Sequence, residues 1–329
     1  PDGVSNEILK CCREALSNPL TEIFNSIIST CEIPKQWEIS DVILLFKKGD
    51  KADIGNYRPI SVTSNTNKVL MRIVKSRIYK QLDENQSANQ AGFRRGRSTV
   101  DHILAVNLVM EKCREYQLDI FILFIDFKKA FDSVEHRAVR EAIKKQGVKK
   151  DMRELISAIY KNSEGRIKTD RGVGKNFKIQ RGVKQGDPVS SNLFNAVLEE
   201  VFKSMRWEEK GLRVDGVWLN NLRFADDVVL ISSSVVELQE MAEELIDASG
   251  LVGLEISYEK TKLLSDRHDI VFSLKGIRIE IVDKYIYLGQ MMSSRRDFGA
   301  EINNRIKKAW GKYWSYKSLL NSKMTQKSK

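Results

Sequence analysis

The sequence predicts an α+β protein, and three observations support that class. Residues 118–125 form a nearly continuous apolar run, which is typical of a strand buried in a covered sheet. Residues 222–231 carry two adjacent acids between apolar, strand-like flanks, a pattern that predicts a hairpin with the acids at its tip. Stretches such as residues 4–32 and 67–82 repeat apolar side chains at the spacing of amphipathic helices.

The composition is typical of a soluble globular chain. The 329 residues are 42% hydrophobic and 30% charged, which suits one large domain or two to three subdomains. The net charge is +11 and the pI about 9.3, a balance that favours a polyanionic partner, although charge alone also fits a merely basic protein. No apolar run reaches the roughly 18–20 residues of a membrane span, so no membrane partner is expected. The chain begins at Pro1 without a signal peptide, and we expect it to be a piece of a longer protein.

The cysteines and histidines indicate no structural metal site. Cys11, Cys12, Cys31 and Cys113 fit neither a disulfide framework nor a zinc-ligand spacing, and the three histidines do not cluster with them. We therefore expect free thiols in a reducing compartment.

Two extended segments in the first fifth of the chain carry basic side chains. A strand-like run over residues 41–46 ends in Lys47 and Lys48, and a second extended segment, after a loop, carries Arg58. Cations on neighbouring strands are suited to gripping a triphosphate. A solvated charged loop explains the same pattern, and the residues alone leave both interpretations open.

Two further basic stretches suit a nucleic-acid backbone. Residues 90–99 form a glycine-punctuated loop, followed by a helix that Ser98 or Thr99 caps. Residues 302–329 hold eight Lys or Arg and no acid, and the first part of this segment has the pattern of an amphipathic helix with a basic back. A solvated charged loop is again the alternative for the first stretch. A membrane surface is the alternative for the second stretch, but the lack of any other membrane feature favours nucleic acid. The candidate nucleic-acid contacts are Arg94, Arg95, Arg97, Lys307, Lys308 and Lys312.

The acids are the candidate catalytic groups. Asp126 directly follows the buried strand, where a carboxylate is costly unless something pairs with it. Asp226 and Asp227 repel each other at the predicted hairpin tip unless a cation neutralises them. Carboxylate oxygens are hard ligands suited to Mg²⁺ or Mn²⁺, so a shared metal site is one interpretation. The other is an acidic surface turn, with Asp126 capping the turn that follows its strand.

A glycine-containing turn over residues 182–188 leads into a helix that Ser190 or Ser191 begins. A backbone-rich turn entering a helix is suited to holding a base pair or a sugar, which makes Gln185 and Gly186 candidates. An ordinary loop–helix junction is the plainer alternative.

The remaining segments alternate between helix and hairpin. Residues 135–161 have a helical pattern, and residues 164–183 predict a hairpin. Ser234 and Glu237 form a predicted capping box for a helix that ends at Gly250. Short strands are predicted at 254–256 and 285–289.

Five short motifs then complete an ordered series. They are Phe-Ile-Asp at 124–126 with Ala-Phe-Asp at 130–132, Arg-Gly-Val-Lys-Gln-Gly-Asp-Pro at 181–188, Phe-Ala-Asp-Asp at 224–227, Glu-Lys-Thr-Lys at 259–262 and Tyr-Leu-Gly at 287–289. Together with Asn-Tyr-Arg-Pro-Ile-Ser at 56–61 and Gly-Phe-Arg-Arg-Gly-Arg-Ser-Thr at 92–99, this order resembles the reverse transcriptase of a non-LTR (LINE-type) retrotransposon over nearly the whole chain. Group II intron maturases share several of the motifs.

The resemblance implies a right-hand polymerase with fingers, palm and thumb. Residues 1–118 would be mainly fingers, 119–289 the palm with interleaved fingers elements, and 290–329 the partial start of the thumb. The implied partners are an RNA template, a DNA primer or target DNA, and deoxynucleoside triphosphates (dNTPs). The implied cofactor is a pair of Mg²⁺ ions, or Mn²⁺. An intracellular ribonucleoprotein, in nucleus and cytoplasm, is implied by the family only, and the oligomeric state stays open.

The resemblance also implies which groups carry the chemistry. Asp126 and Asp226 would be the bridging metal ligands, with Asp227 as the third and the carbonyl of Phe127 completing the site. Lys260 resembles the lysine near the leaving pyrophosphate, a general acid, with Lys262 as the alternative.

Nucleotide selection is implied in the same way. Phe131 would put a ring under the sugar, where it clashes with a 2′-hydroxyl and so selects deoxynucleotides. The triphosphate would be held by Lys47, Lys48 and Arg58, and the nascent pair would pack beside Gln185 and Gly186.

Three rival interpretations remain. A catalytically silent polymerase fold that only binds RNA disagrees with the retention of all three acids, and an RNA-dependent RNA polymerase disagrees with Phe131 and the Phe-Ala-Asp-Asp form. A group II intron maturase needs an RNA-binding region past the thumb. Two residues depart from the family pattern, Ser257 where Asn is common and Ser191 where Pro is frequent. Both departures concern local turn geometry rather than the reaction.

Overall fold

A computed structural model describes residues 3–267, 269–295 and 298–322. Within these ranges helices and strands are interleaved, as the α+β class predicts. The helices, in chain order, are α1 (Asn6–Cys11), α2 (Arg13–Thr30), α3 (Lys35–Glu38), α4 (Asn65–Glu84), α5 (Thr99–Glu115), α6 (Ala130–Ser133), α7 (His136–Lys145), α8 (Lys150–Lys161), α9 (Ser190–Lys203), α10 (Val235–Gly250) and α11 (Phe298–Leu320). A short 3-10 helix spans Ile54–Asn56.

The strands are grouped into two larger sheets and several hairpins. In chain order they are β1 (Ile39–Phe46), β2 (Tyr57–Val62), β3 (Phe121–Ile125), β4 (Glu164–Thr169), β5 (Gly172–Lys178), β6 (Leu212–Val214), β7 (Val217–Leu219), β8 (Asn221–Phe224), β9 (Asp227–Ser232), β10 (Lys262–Leu264), β11 (Ser273–Leu274), β12 (Ile277–Arg278), β13 (Glu280–Val282), β14 (Lys284–Tyr287) and β15 (Gln290–Ser293).

The central sheet has the strand order β13-β10-β3-β9-β8, with β3 antiparallel to both of its neighbours. Phe121, Leu123 and Ile125 of β3 face the large core, to which α4 and α7 to α10 contribute. Ile122 and Phe124 face a second cluster formed with α5 and the β14–β15 hairpin. Because both faces of the sheet are covered, every position of β3 is apolar. The strand is therefore a continuous apolar run and does not alternate between apolar and polar residues.

The second sheet has the order β2-β1-β4-β5. β1 pairs antiparallel with β2 and parallel with β4. Of the predicted triphosphate cations, Lys47 and Lys48 lie directly after β1, and Arg58 lies in β2 opposite Leu45. The backbone N–H of Ser61 in β2 donates to the carbonyl of Gln185 at 2.9 Å, which ties this sheet to the turn before α9. This contact brings the basic β1–β2 hairpin and the glycine-containing turn over residues 182–188 to the same side of the molecule.

Local sequence signals account for several boundaries. Ser98 and Asp101 form a reciprocal capping box at the start of α5. At α10, Ser234 accepts from the N–H of Glu237, but the Glu237 carboxylate accepts from Ser232 and Gly211 rather than completing the predicted box.

Three predicted elements differ from the observed ones. The helix predicted over residues 135–161 is divided into α7 and α8 around Gly147, which takes the left-handed φ of +78°. The strand predicted at 254–256 is reduced to a single bridge between Ile256 and Phe127. β3 begins at Phe121, three residues later than the start of the apolar run.

The C-terminal helix α11 packs beside β15 and leaves its aromatic side chains exposed, Trp310 by 56% and Trp314 by 59%. Residues 323–329 of the basic tail lie outside the described residues. All four cysteines are free thiols, as predicted. In the described part of the chain, no helix is both long and apolar enough to cross a membrane.

Candidate active site

The central sheet brings the three candidate acids together where β3 ends and the neighbouring strand β9 begins. Ile125 pairs with Val228, so Asp126 continues β3 alongside the start of β9. The β8–β9 hairpin turns through Ala225 and Asp226, and Asp227 is already the first residue of β9. The predicted tip was therefore wrong by one residue. Ala225 takes φ +58°, a left-handed conformation that is strained in a residue other than glycine.

Burial and neighbouring carboxylates raise the pKa of Asp226 and of Asp227. Burial, reinforced by the charge of Asp126, raises the pKa of Asp226 above its ordinary value. Burial and the charges of Asp226 and Asp126 raise the pKa of Asp227 to about 6. Lys260 partly compensates this repulsion, because its Nζ lies 3.7 Å from Oδ1 of Asp126. The cluster thus attracts cations, as paired carboxylates do.

A cleft of about 1040 Å³ lies in front of these acids. It collects most of the side chains that the sequence singled out, from segments spread over more than 200 positions. The predicted residues that line it are Lys47, Arg58, Asp126, Phe127, Phe131, Gln185, Gly186, Asp226, Asp227 and Lys260.

The cationic side of the cleft is formed by the β1–β2 hairpin. Burial, together with the positive charges of Arg58 and Lys260, lowers the pKa of Lys47. Lys48 does not line the cleft, contrary to the prediction. Lys48 follows Lys47 into the bend after β1, where its side chain is exposed.

Phe131 is fixed by other rings. It stacks on the buried ring of Phe194 with centroids 4.5 Å apart, and Phe93 meets it edge-on at 6.1 Å. Beside it, Nε2 of Gln185 donates to Oδ1 of Asp132 at 3.3 Å. Gly186 takes φ +107°, and a Cβ there would lie 3.0 Å from the carbonyl of Ser61, so the close approach of β2 favours glycine.

The segment before β10 holds Asp126 from the other side. The Ser257 N–H donates to the Asp126 carbonyl at 2.7 Å, and Oγ1 of Thr261 accepts from the Asp126 N–H at 3.4 Å. Because Ser257 contributes a backbone group, its departure from the family pattern leaves this bond in place. Lys262 is bound to Glu280 at 2.6 Å and does not line the cleft, which leaves Lys260 as the lysine at the site.

The basic loop divides into a structural part and an exposed part. Arg94 was predicted to contact nucleic acid, but its guanidinium is bound to Asp83 at 2.8 Å and to the carbonyls of Ser87 and Gln90. Its role is therefore to hold the loop to the end of α4. Arg95 and Arg97 are exposed, as are Lys307, Lys308 and Lys312 on α11.

Three residues at or near the site were not predicted from the sequence to belong to it. Gln90 is fully buried against the hairpin turn, Asp132 lines the cleft, and Arg223 is buried in β8 with an ion pair to Glu199. Arg223 had a detectable signal, because a charge inside an otherwise apolar strand requires a buried partner. Gln90 had none, because the arginines after it dominate the pattern of that loop.

The sheet with its paired acids, facing a cationic cleft, has the architecture of a right-hand polymerase. Candida tropicalis telomerase truncated of its C-terminal domain is similar in fold, with a TM-score of 0.57, 15% identity and coverage of 85% of this chain and 59% of that one. The chain belongs to the reverse transcriptase (RNA-dependent DNA polymerase) family, whose model matches residues 46–292.

Relatives among curated proteins confirm the resemblance to non-LTR retrotransposon enzymes. The Pol polyprotein from the type-1 retrotransposable element R2 of Nasonia vitripennis is 28% identical over 267 residues, covering 80% of this chain and 25% of the relative. The probable RNA-directed DNA polymerase from transposon BS of Drosophila melanogaster is 26% identical, covering 98% of this chain and 37% of the relative. The chain thus spans between 25% and 37% of the length of these two relatives.

The donor set fits a divalent metal ion of the kind that reverse transcriptases generally use. Within residues 3–267, 269–295 and 298–322, no group of three or more His, Cys, Asp or Glu side chains is arranged to enclose a metal. Magnesium is usually bound through one or two carboxylates together with substrate phosphates and water, rather than in an all-protein cage. Asp126 and Asp226 match that requirement, and burial together with the charge of Asp126 raises the pKa of Asp226.

Proposed function

We propose that this chain is an RNA-directed DNA polymerase that extends a primer 3′-hydroxyl with dNTPs on an RNA template. The observation that carries the proposal is the convergence of Asp126, Asp226 and Asp227 opposite Lys47 and Arg58 in one cleft. Acids and cations facing each other across a cleft of this size suit a metal-bound triphosphate.

Asp126 and Asp226 would hold two Mg²⁺ ions, with Asp227 and the Phe127 carbonyl completing the ligand set. The same oxygen ligands suit Mn²⁺. Bound Mg²⁺ lowers the pKa of the attacking hydroxyl and neutralises charge on the phosphates. Lys47 and Arg58 bind the triphosphate and orient it, because both line the cleft opposite the acids.

Phe131 excludes a 2′-hydroxyl because its ring is held from below by Phe194 and has no room to retreat. Gln185 and Gly186 lie beside it and pack against the nascent base pair.

The transfer forms a bond between the primer O3′ and the α-phosphorus and breaks the bond from that phosphorus to the bridging oxygen of the β-phosphate, and the proton of the 3′-hydroxyl passes to water. Pyrophosphate leaves with the electron pair. Lys260 supplies a proton to that leaving group, because its Nζ lies at the cleft, 3.7 Å from Oδ1 of Asp126.

We further propose the division of the chain into fingers, palm and thumb. The fingers are mainly residues 1–118, and the palm is residues 119–289 with interleaved fingers elements, so the four-stranded sheet combines β1 and β2 with β4 and β5 from the second range. The central sheet belongs to the palm, and α11 to the partial start of the thumb (290–329). Exposed cations contact the phosphates of the template and of the primer or target DNA. They are Arg95, Arg97, Lys307, Lys308 and Lys312. A nuclear and cytoplasmic ribonucleoprotein is the cellular form that family membership favours.

Primer extension tests this function. The purified chain, with Mg²⁺, is given an oligo(dT) primer on poly(rA) or poly(dA), with dTTP or UTP as the nucleotide. We expect extension on the RNA template with dTTP and little with UTP. Extension with UTP as efficient as with dTTP, or no extension on RNA, would contradict the proposal.

A further inference from the structure

We propose that Gln90 is a positioning residue that fixes the turn carrying Asp226. The inference rests on the proposed polymerase function and adds a residue that touches neither substrate nor metal. Its basis is a buried amide whose oxygen binds the backbone of the catalytic turn.

The contact is specific to one atom. Oε1 of Gln90 accepts from the Ala225 N–H at 3.0 Å and from the Gly92 N–H at 2.8 Å. The Gln90 side chain is fully buried, so water cannot replace it. Ala225 is the residue with φ +58° immediately before Asp226. An amide oxygen thus holds in place a peptide whose conformation is unfavourable without support.

The surrounding backbone makes this contact rigid. The segment before Gly92 runs beside β8, with the Arg223 N–H donating to the Asn89 carbonyl at 2.8 Å and the Ala91 N–H to the Arg223 carbonyl at 2.9 Å. A Cβ on Gly92 would lie 2.2 Å from the Ala225 nitrogen, so only glycine permits the two backbones to approach this closely. The loop therefore packs directly against the turn and is hydrogen-bonded to the strand that leads into it.

Residues 90–93 also contact the side of the site where the sugar of the nucleotide would lie. Phe93 follows Gly92 and meets the ring of Phe131 edge-on at 6.1 Å. Asn195 in α9 donates from Nδ2 to the Gly92 carbonyl at 2.7 Å, which anchors the segment to the helix behind the cleft. Residues 90–93 thus set the distance between the metal-binding turn and the ring that selects the sugar.

Loss of the Gln90 oxygen frees the Ala225 N–H to move. Ala225 then relaxes towards a negative φ, and the Asp226 carboxylate shifts with it. A misplacement on the order of 1 Å at a reacting centre lowers the rate about a hundredfold without preventing substrate binding. We therefore expect the maximal rate to fall while the affinity for substrates is kept.

Three variants test the role. Gln90→Met keeps the volume and removes the acceptor, whereas Gln90→Asn keeps the amide but is too short to reach both N–H groups. Gln146→Met is the matched control, because Gln146 is equally buried and makes two hydrogen bonds, to Ala196 and Glu200 at 2.9 Å, but does not line the cleft. Each variant is measured by single-turnover extension, by primer–template binding, and by hydrogen exchange of the peptide 222–228.

Both Gln90 variants are expected to lower the maximal rate about tenfold or more, with the KM for dNTP and the primer–template Kd within about twofold of wild type. They should also speed exchange in the peptide 222–228. Gln146→Met should lower the Tm without either effect. Rates for the Gln90 variants that match Gln146→Met, or unchanged exchange at 222–228, would overturn the proposal. Wild-type protein that extends no primer would instead contradict the polymerase function, and the exchange measurement would then decide the role of Gln90 by itself.

Discussion

At the scale of single residues, the acids at the cleft are held together against their own repulsion. Asp227 shows this most clearly, since burial and two neighbouring carboxylates raise its pKa to about 6. A carboxyl with a raised pKa in the folded state destabilises the fold once it is ionised. The site therefore carries a cost in stability, which the proposed binding of metal and triphosphate would offset.

Asp227→Asn should stabilise the protein in magnesium-free buffer at pH 7.5, with a Tm higher by about 2 °C after allowing for solvent screening. Between the ordinary carboxyl pKa of 3.8 and about 6 the folded state binds more protons than the unfolded state, so stability falls as the pH rises through this window. The gain from Asn should accordingly vanish near pH 4. Thermal unfolding at the two pH values measures it, and an equal gain at both would contradict the electrostatic origin.

Phe131 is the residue whose predicted role depends most on its surroundings. Stacking on Phe194 makes it part of a core cluster as well as a wall of the cleft. The sequence predicted its place five residues after Asp126, but not the rings that prevent it from retreating, because those come from α9 and the loop before α5.

Phe131→Ala should let the enzyme incorporate ribonucleotides, because the alanine leaves space for the 2′-hydroxyl. We expect the dTTP-to-UTP preference to fall about tenfold or more, a loss of 1.4 kcal/mol in discrimination. Phe177→Ala removes a ring from β5 outside the cleft and serves as the control. Continued rejection of UTP by Phe131→Ala would show that the sugar is selected elsewhere.

At the scale of elements, α9 and the β8–β9 hairpin are joined by a buried ion pair. Nη1 of Arg223 lies 3.0 Å from Oε2 of Glu199, with both side chains less than 5% exposed. The guanidinium also lies over the ring of Phe202, 4.3 Å from its centroid. The helix that follows the Gln185 turn is thus bound to the strand that precedes the acids.

Arg223→Met should destabilise the fold by about 3–5 kcal/mol, because it leaves the Glu199 carboxylate buried without a partner. The double variant Glu199→Met/Arg223→Met should recover most of this loss, since it removes both charges. Urea unfolding of the single and double variants measures the difference. A double variant that is as unstable as the single one would show that the guanidinium acts by packing instead of by charge.

Element boundaries were predictable where local chemistry decides them. The Ser98 cap, the buried strand before Asp126 and the hairpin around Asp226 follow from short-range patterns. The contacts of Gln90 and Arg94 were not predictable, because their partners are brought close only by the packing of the loop against α4 and β8. The strand predicted at 254–256 failed because its neighbour is a turn, which offers one bridge instead of a ladder.

At the scale of the whole molecule, the basic side chains that give the net charge of +11 have different roles. Lys47, Arg58 and Lys260 line the cleft, whereas Arg94 and Arg223 are consumed by internal ion pairs. Exposed cations such as Arg95 and Arg97 remain available for phosphates. Overall charge favoured a polyanionic partner without excluding a merely basic protein, and only the structure separates the cations that stabilise the fold from those that face outward.

Primer–template binding should weaken steeply with salt, and Arg95→Ala and Arg97→Ala should each reduce the slope of log Kd against log salt by about 1. Arg94→Ala should instead lower the Tm, because its guanidinium is bound to Asp83. Fluorescence anisotropy over a salt series measures the slopes. Slopes unchanged in both exposed-arginine variants would place the nucleic acid elsewhere on the surface.

The most direct test of the catalytic centre compares Asp226→Asn with Asp215→Asn in single-turnover extension on an RNA template with Mg²⁺. Both residues lie in two-residue hairpin turns, but Asp215 lies at the exposed turn between β6 and β7, outside the cleft. We expect Asp226→Asn to lower the rate about a hundredfold or more, because a metal-binding carboxylate is lost, and Asp215→Asn to match wild type. Equal rates in the two variants would contradict the assignment of Asp226 to the catalytic site.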